Sequence, residues 1–65
     1  MNKVDLEKLR KDMIEYRAKN NLTLEKLAAM CKLSYQTIQS IEKGYQTPSR
    51  LTVYKIENVI KNGKE

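Results

Sequence analysis

The sequence predicts an all-α fold, a compact bundle of four short helices in a single domain spanning residues 1–65. Two observations predict it. Apolar side chains recur at intervals of three and four along the chain, and no stretch alternates with the period of two that marks a strand. The apolar runs are also punctuated by residues that start and stop helices: hydroxyl side chains before them, Asn or Gly after them. A chain this short buries only about 60% of the surface its unfolded form exposes, so its core is marginal and well-formed helix ends matter.

Leu6, Leu9, Met13 and Tyr16 set the stripe of a first helix over roughly residues 4 to 20, which Asn20-Asn21 ends because Asn tolerates left-handed backbone. Its basic residues Lys8, Arg10, Lys11 and Lys19 interleave with Asp5, Glu7, Asp12 and Glu15, the pattern of a solvated face laced with ion pairs. Tyr16 is expected to pack behind the third helix. Thr23 is a good N-cap for a second helix, with Leu22 as a staple before it and Glu25 in its first turn. Leu24, Leu27, Ala28 and Cys31 form its apolar side, and it ends near Cys31. Ser34 caps a third helix from Tyr35 to Lys43, with Ile38 and Ile41 on one face and Gly44 as the stop. Gly44-Tyr45-Gln46-Thr47-Pro48 is a loop, after which Ser49 or Thr47 caps a fourth helix carrying Val53, Ile56, Val59 and Ile60 inward. Tyr54 is expected to cover the core edge, Met13 and Met30 to fill it, and Asn62-Gly63-Lys64-Glu65 to fray. The chain shows no repeat, linker or low-complexity segment.

Composition excludes several classes of function. There is no His, Cys31 is the one cysteine, and Gly44 and Gly63 are the two glycines. No nucleophile has a base partner, no Gly-rich phosphate loop exists, and no metal-ligand set is available, so neither an enzyme, a metal site nor a cofactor is expected, and no small-molecule ligand is evident. Cys31 reads as a small buried hydrophobe that cannot form an internal disulfide, in keeping with a reducing cytoplasm. Met1-Asn2-Lys3-Val4-Asp5 lacks the apolar segment of a secretion signal, and no apolar run is long enough to span a bilayer. The polar face of the first helix is as acidic as it is basic, which argues against a membrane-surface helix. Thirteen Lys+Arg against eight Asp+Glu give a net charge of +5, and a basic domain attracts phosphate polymers.

The informative stretch is about residues 23–44. Two short helices joined by Lys32-Leu33-Ser34 have the layout of a helix-turn-helix. Ala28 is small where the second helix approaches the third. Leu27, Cys31, Leu33, Ile38 and Ile41 are apolar where the two share a core. The third helix turns Tyr35, Gln36, Thr37, Gln39, Ser40 and Lys43 outward.

Three stretches resemble the lambda-repressor/Cro-type helix-turn-helix family, also called the xenobiotic-response-element family. They are Arg17 with Leu22-Thr23-Leu24-Glu25-Lys26-Leu27-Ala28, the run from Ser34 to Gly44, and Thr47-Pro48-Ser49. The resemblance covers roughly residues 9 to 60. It implies a transcription regulator, more often a repressor, that binds double-stranded DNA with its third helix in the major groove. The base-reading positions it implies are Tyr35, Gln36, Thr37, Gln39 and Ser40. A Gln amide donates to and accepts from adenine at once, and a Tyr ring packs on a thymine methyl. The implied phosphate-binding positions are Thr23, Lys43, Tyr45, Gln46, Thr47, Ser49 and Arg50, the last two through backbone N–H groups at the start of the fourth helix. Arg17 and Glu42 match a family ion pair between the first and third helices.

Three departures stand beside the resemblance. Lys32 occupies the turn where relatives have Gly, so it either accepts a positive φ or shifts the turn. Leu24 replaces the Gln that usually grips a phosphate. The fifth helix on which many relatives dimerise is not in this sequence, which leaves a homodimer through the first or fourth helix, a monomer, or one domain of a longer protein. The competing reading is a protein-interaction module on the same fold, of the antitoxin or anti-repressor type, in which the third helix reads no bases. A broad apolar patch around Tyr35 and Tyr45 would favour it.

Overall fold

Four helices follow one another in a computed structural model that describes residues 3–63: α1 (Lys3–Asn20), α2 (Leu24–Cys31), α3 (Tyr35–Glu42) and α4 (Arg50–Asn62). Lys64 and Glu65 of the tail expected to fray, and Met1 and Asn2 of the segment searched for a secretion signal, lie outside the described residues. Among those residues there is no strand, and no helix is long and apolar enough to cross a membrane.

Local chemistry explains where each helix begins. Thr23, Ser34 and Ser49 are extended, and each hydroxyl accepts the backbone N–H three residues on, from Lys26, Thr37 and Thr52 at 3.0, 3.1 and 3.2 Å. Each cap thus satisfies one of the N–H groups a helix start leaves unpaired. Of the two candidates for α4, Ser49 is the cap.

The ends of α1, α2 and α3 share a second device. Asn21 and Lys32, each at φ 58°, and Gly44 at φ 79° turn left-handed. The following residue then donates back across the last turn: Leu22 to the Arg17 carbonyl at 2.8 Å, Leu33 to Ala28 at 2.9 Å, and Tyr45 to Ser40 at 2.9 Å. This six-to-one closure is the Schellman motif. Lys32 therefore accepts the positive φ and the turn keeps its length. Left-handed backbone costs a residue with a Cβ roughly 1–2 kcal/mol, so Lys32→Gly is expected to stabilise the fold by about 1 kcal/mol and raise Tm by about 4–8 °C in thermal denaturation.

The core is one apolar cluster to which every helix contributes: Leu9 and Met13 from α1, Leu27, Ala28 and Cys31 from α2, Ile38 and Ile41 from α3, and Ile56 and Val59 from α4. Tyr16, Leu22, Leu24, Met30, Leu33, Val53 and Ile60 pack around it. α2 packs on α3 and α4, and α1 packs on the same two helices from the other side. Two expectations are amended. Tyr16, expected behind α3, reaches α4 as well, lining a shallow groove with Ile60 and bringing its hydroxyl near Gly63, because its place on the α1 stripe borders that helix. Tyr54 does not seal the core. It is 66% exposed at the lip of a groove shared with Met30, since it points away from the Ile56–Val59 face of α4.

Cys31 lies in this core as a free thiol, and burial pushes it up from an ordinary 9.0 to about 11. The folded state therefore favours the protonated thiol, an advantage fully present below pH 9 and lost as pH rises toward 11. In urea titrations, the stability difference between the natural chain and Cys31→Ala should be flat from pH 7 to 9 and shrink by about 2 kcal/mol by pH 11. A constant difference across that range would contradict it.

Candidate nucleic-acid interface

α3 has two faces of opposite character. Ile38 and Ile41 are 0% exposed and anchor it in the core. Tyr35 and Gln36, at its N-terminal end, are exposed, and Thr37, Gln39 and Ser40 are half-buried along its flank. The Gln39 amide donates to the Tyr35 hydroxyl at 3.2 Å, an i,i+4 contact that lays the ring and the amide side by side. The Thr37 hydroxyl lies 2.8 Å from that of Ser34 and belongs to the helix cap. Among the base-reading positions, the Gln36 side chain has no hydrogen bond to the described residues, whereas those of Tyr35 and Gln39 are bonded to each other.

Around this face lie the other positions. Lys43, Tyr45, Gln46, Thr47, Ser49 and Arg50 are all exposed in and after the loop that leaves α3, while Pro48 is buried and ties the loop to the body. The Ser49 hydroxyl both accepts the Thr52 N–H and donates to the Thr52 hydroxyl at 3.0 Å, so its side chain is engaged in the cap. Thr23 is exposed at the start of α2, its oxygen accepting from Lys26. Leu24, standing where relatives carry Gln, is half-buried against the core cluster.

The orientation of α3 is held from α1. Arg17 donates through Nε to Glu42 Oε2 and through Nη2 to Oε1, both at 2.8 Å, and through Nη1 to the Leu22 carbonyl at 3.2 Å. The Glu42 side chain is only 8% exposed. The bidentate bond to Glu42 raises the Arg17 pKa, so the guanidinium stays charged at any ordinary pH. A second cation joins it: Arg10 Nε donates to the Glu42 backbone carbonyl at 3.1 Å. Sequence reasoning placed Arg10 on a solvated face among alternating charges. The one signal that could have separated it was its spacing, seven residues and two helical turns before Arg17 on the same side of α1.

Two short helices crossing over a shared core, with a polar helix face flanked by an exposed loop that Lys43 and Arg50 border, define a DNA-binding helix-turn-helix domain of a regulatory kind. A family model for helix-turn-helix proteins matches residues 13–62, and the chain belongs to that family, of the Cro/C1 and xenobiotic-response-element type. No curated protein and no solved structure matches the chain significantly.

Proposed function

We propose that this chain is a sequence-specific repressor that binds double-stranded DNA in the cytoplasm by placing α3 in the major groove. The observation that carries the reading is the division of α3, fully buried at Ile38 and Ile41 and exposed at Tyr35 and Gln36. A helix held rigidly on one side and polar on the other suits a groove about 12 Å wide. Gln36 reads a base edge, and adenine is the base its amide matches. The Tyr35–Gln39 pair presents a ring edge and an amide beside it, and Thr37 and Ser40 line the flank. Lys43, Tyr45, Gln46 and Thr47, with Thr23 and the backbone N–H groups near Ser49 and Arg50, contact phosphates and set the register. Repression follows from occupancy alone, which requires no further surface. As a homodimer the protein would read a pseudo-palindrome with half-sites about one helical turn apart.

The test is selection of a site from random duplexes, followed by titration of the winner against a scrambled duplex at several salt concentrations. The selected duplex should bind at least about a thousandfold more tightly. Gln36→Ala should cost about 1–3 kcal/mol on the selected duplex and much less on the scrambled one. Lys43→Ala should weaken both alike and lower the slope of log K against log salt by about one. Equal losses on both duplexes for Gln36→Ala would remove it from base reading. Absence of binding to any duplex would replace this reading with a protein-interaction module.

A further inference from the structure

Arg10 precedes the residues 13–62 that the family model matches, and the resemblance assigns it no role. Its Nε is held by the Glu42 carbonyl at 3.1 Å. Its guanidinium lies over Gly44: a Cβ built on that glycine would stand 3.3 Å from Arg10 Cζ and 3.5 and 3.6 Å from Nη1 and Nη2. The missing side chain of Gly44 therefore makes room for the guanidinium at the point where α3 ends and the exposed loop begins.

The two terminal nitrogens have no acceptor among the described residues. The Glu42 carboxylate has both oxygens on Arg17. No buried side-chain nitrogen or oxygen lacks a hydrogen-bond partner among those residues, so unpartnered Nη1 and Nη2 are reached by solvent. The result is a guanidinium fixed by one edge, its other edge reached by solvent and without an ion pair among the described residues, beside Gly44 where the exposed loop begins.

We propose that Arg10 is a phosphate-binding residue, with Nη1 and Nη2 taking two oxygens of one DNA phosphodiester next to the Gly44–Tyr45 turn. The planar fork matches a phosphate bidentately. Fixing the guanidinium on Glu42 and against Gly44 removes part of the ordering cost that a free surface Arg meets on binding. Because the same carbonyl belongs to the last residue of α3, the contact also sets the height of the reading helix above the backbone. The inference rests on the DNA-binding reading, deepens it by one contact, and has its own test.

The test uses the full chain and the selected and scrambled duplexes, with the natural chain, Arg10→Gln and Arg10→Lys each shown to be folded by circular dichroism at the working temperature. Arg10→Gln should weaken both duplexes by the same factor, roughly tenfold, and lower the salt slope by about one. Arg10→Lys, which keeps the charge and loses the fork, should keep the slope. Single neutral methylphosphonates are then walked along the selected duplex. One position should weaken binding of the natural chain and leave Arg10→Gln unaffected. An unchanged slope in Arg10→Gln, or no methylphosphonate position with that coupling, overturns the assignment and leaves Arg10 as a brace for α3. Failure of the natural chain to bind any duplex overturns the DNA reading itself, an outcome distinct from either.

Discussion

Ile41→Ala is expected to leave the domain close to its unfolding midpoint at 37 °C. Ile41 is 0% exposed and lies on the α3 face that joins the common core. Removing its branched side chain forfeits the transfer energy of the lost groups and leaves a cavity, about 2–5 kcal/mol in comparable sites. A domain of this size has a total stability on the order of 3–10 kcal/mol, so a loss near 3 kcal/mol removes much of it and lowers Tm by roughly 15–20 °C. Ile41→Val, which deletes one methylene, should cost about 1 kcal/mol. Thermal and urea denaturation followed by circular dichroism measure both. A loss below about 1 kcal/mol for Ile41→Ala would mean that the helices collapse to fill the space. DNA binding by Ile41→Ala should fall with the folded fraction and keep its sequence preference, because the reading face is untouched.

Arg17→Ala should have the next largest effect, about 2–3 kcal/mol. It leaves the Glu42 carboxylate, 8% exposed, without its two donors and takes the third donor from the Leu22 carbonyl. Breaking a buried pair from one side costs about 3–5 kcal/mol, lowered here because the Arg17 side chain keeps 24% of its exposure. Replacing both partners by apolar groups, Arg17→Met with Glu42→Leu, should recover at least half of the loss, since neither charge is then stranded. The double variant should nevertheless bind the selected duplex more weakly than its stability alone implies, because the pair orients α3. An unchanged melting temperature for Arg17→Ala would mean that solvent replaces the three hydrogen bonds without cost. The Arg17 pKa lies raised beyond its already high ordinary value, so the guanidinium itself adds no pH dependence to stability between pH 5 and pH 9.

The boundaries of the helices were legible because they are local. A hydroxyl that accepts the N–H three residues on, and an Asn, Lys or Gly that closes the last turn in left-handed backbone, act within six residues of chain. Thr23, Ser34 and Ser49 begin helices, and Asn21, Lys32 and Gly44 end them, through bonds of that reach. The inward positions were legible for a related reason. A 3.6-residue period identifies the stripe that must leave water, and Leu9, Met13, Leu27, Cys31, Ile38, Ile41, Ile56 and Val59 are that stripe. The resemblance then implied that the polar face of α3 is a reading surface.

The sequence by itself thus determined that this is a four-helix, helix-turn-helix chain of the DNA-binding kind, and which residues lie at its helix ends and in its core. Only the tertiary structure decided what the flanks of α1 touch. Tyr16 reaches α4, while Arg10 crosses to the end of α3, 32 residues away in sequence. Period identifies the stripe of a helix that must be buried, but not which neighbour lies to its left or right. That depends on the crossing of whole helices, set by the summed packing of their side chains. An alternating charge pattern looks the same whether a basic residue bonds its own helix, as Lys8 does with Asp12 at 3.1 Å, or reaches another, as Arg10 does. A contact between distant segments appears only once the core has brought them together.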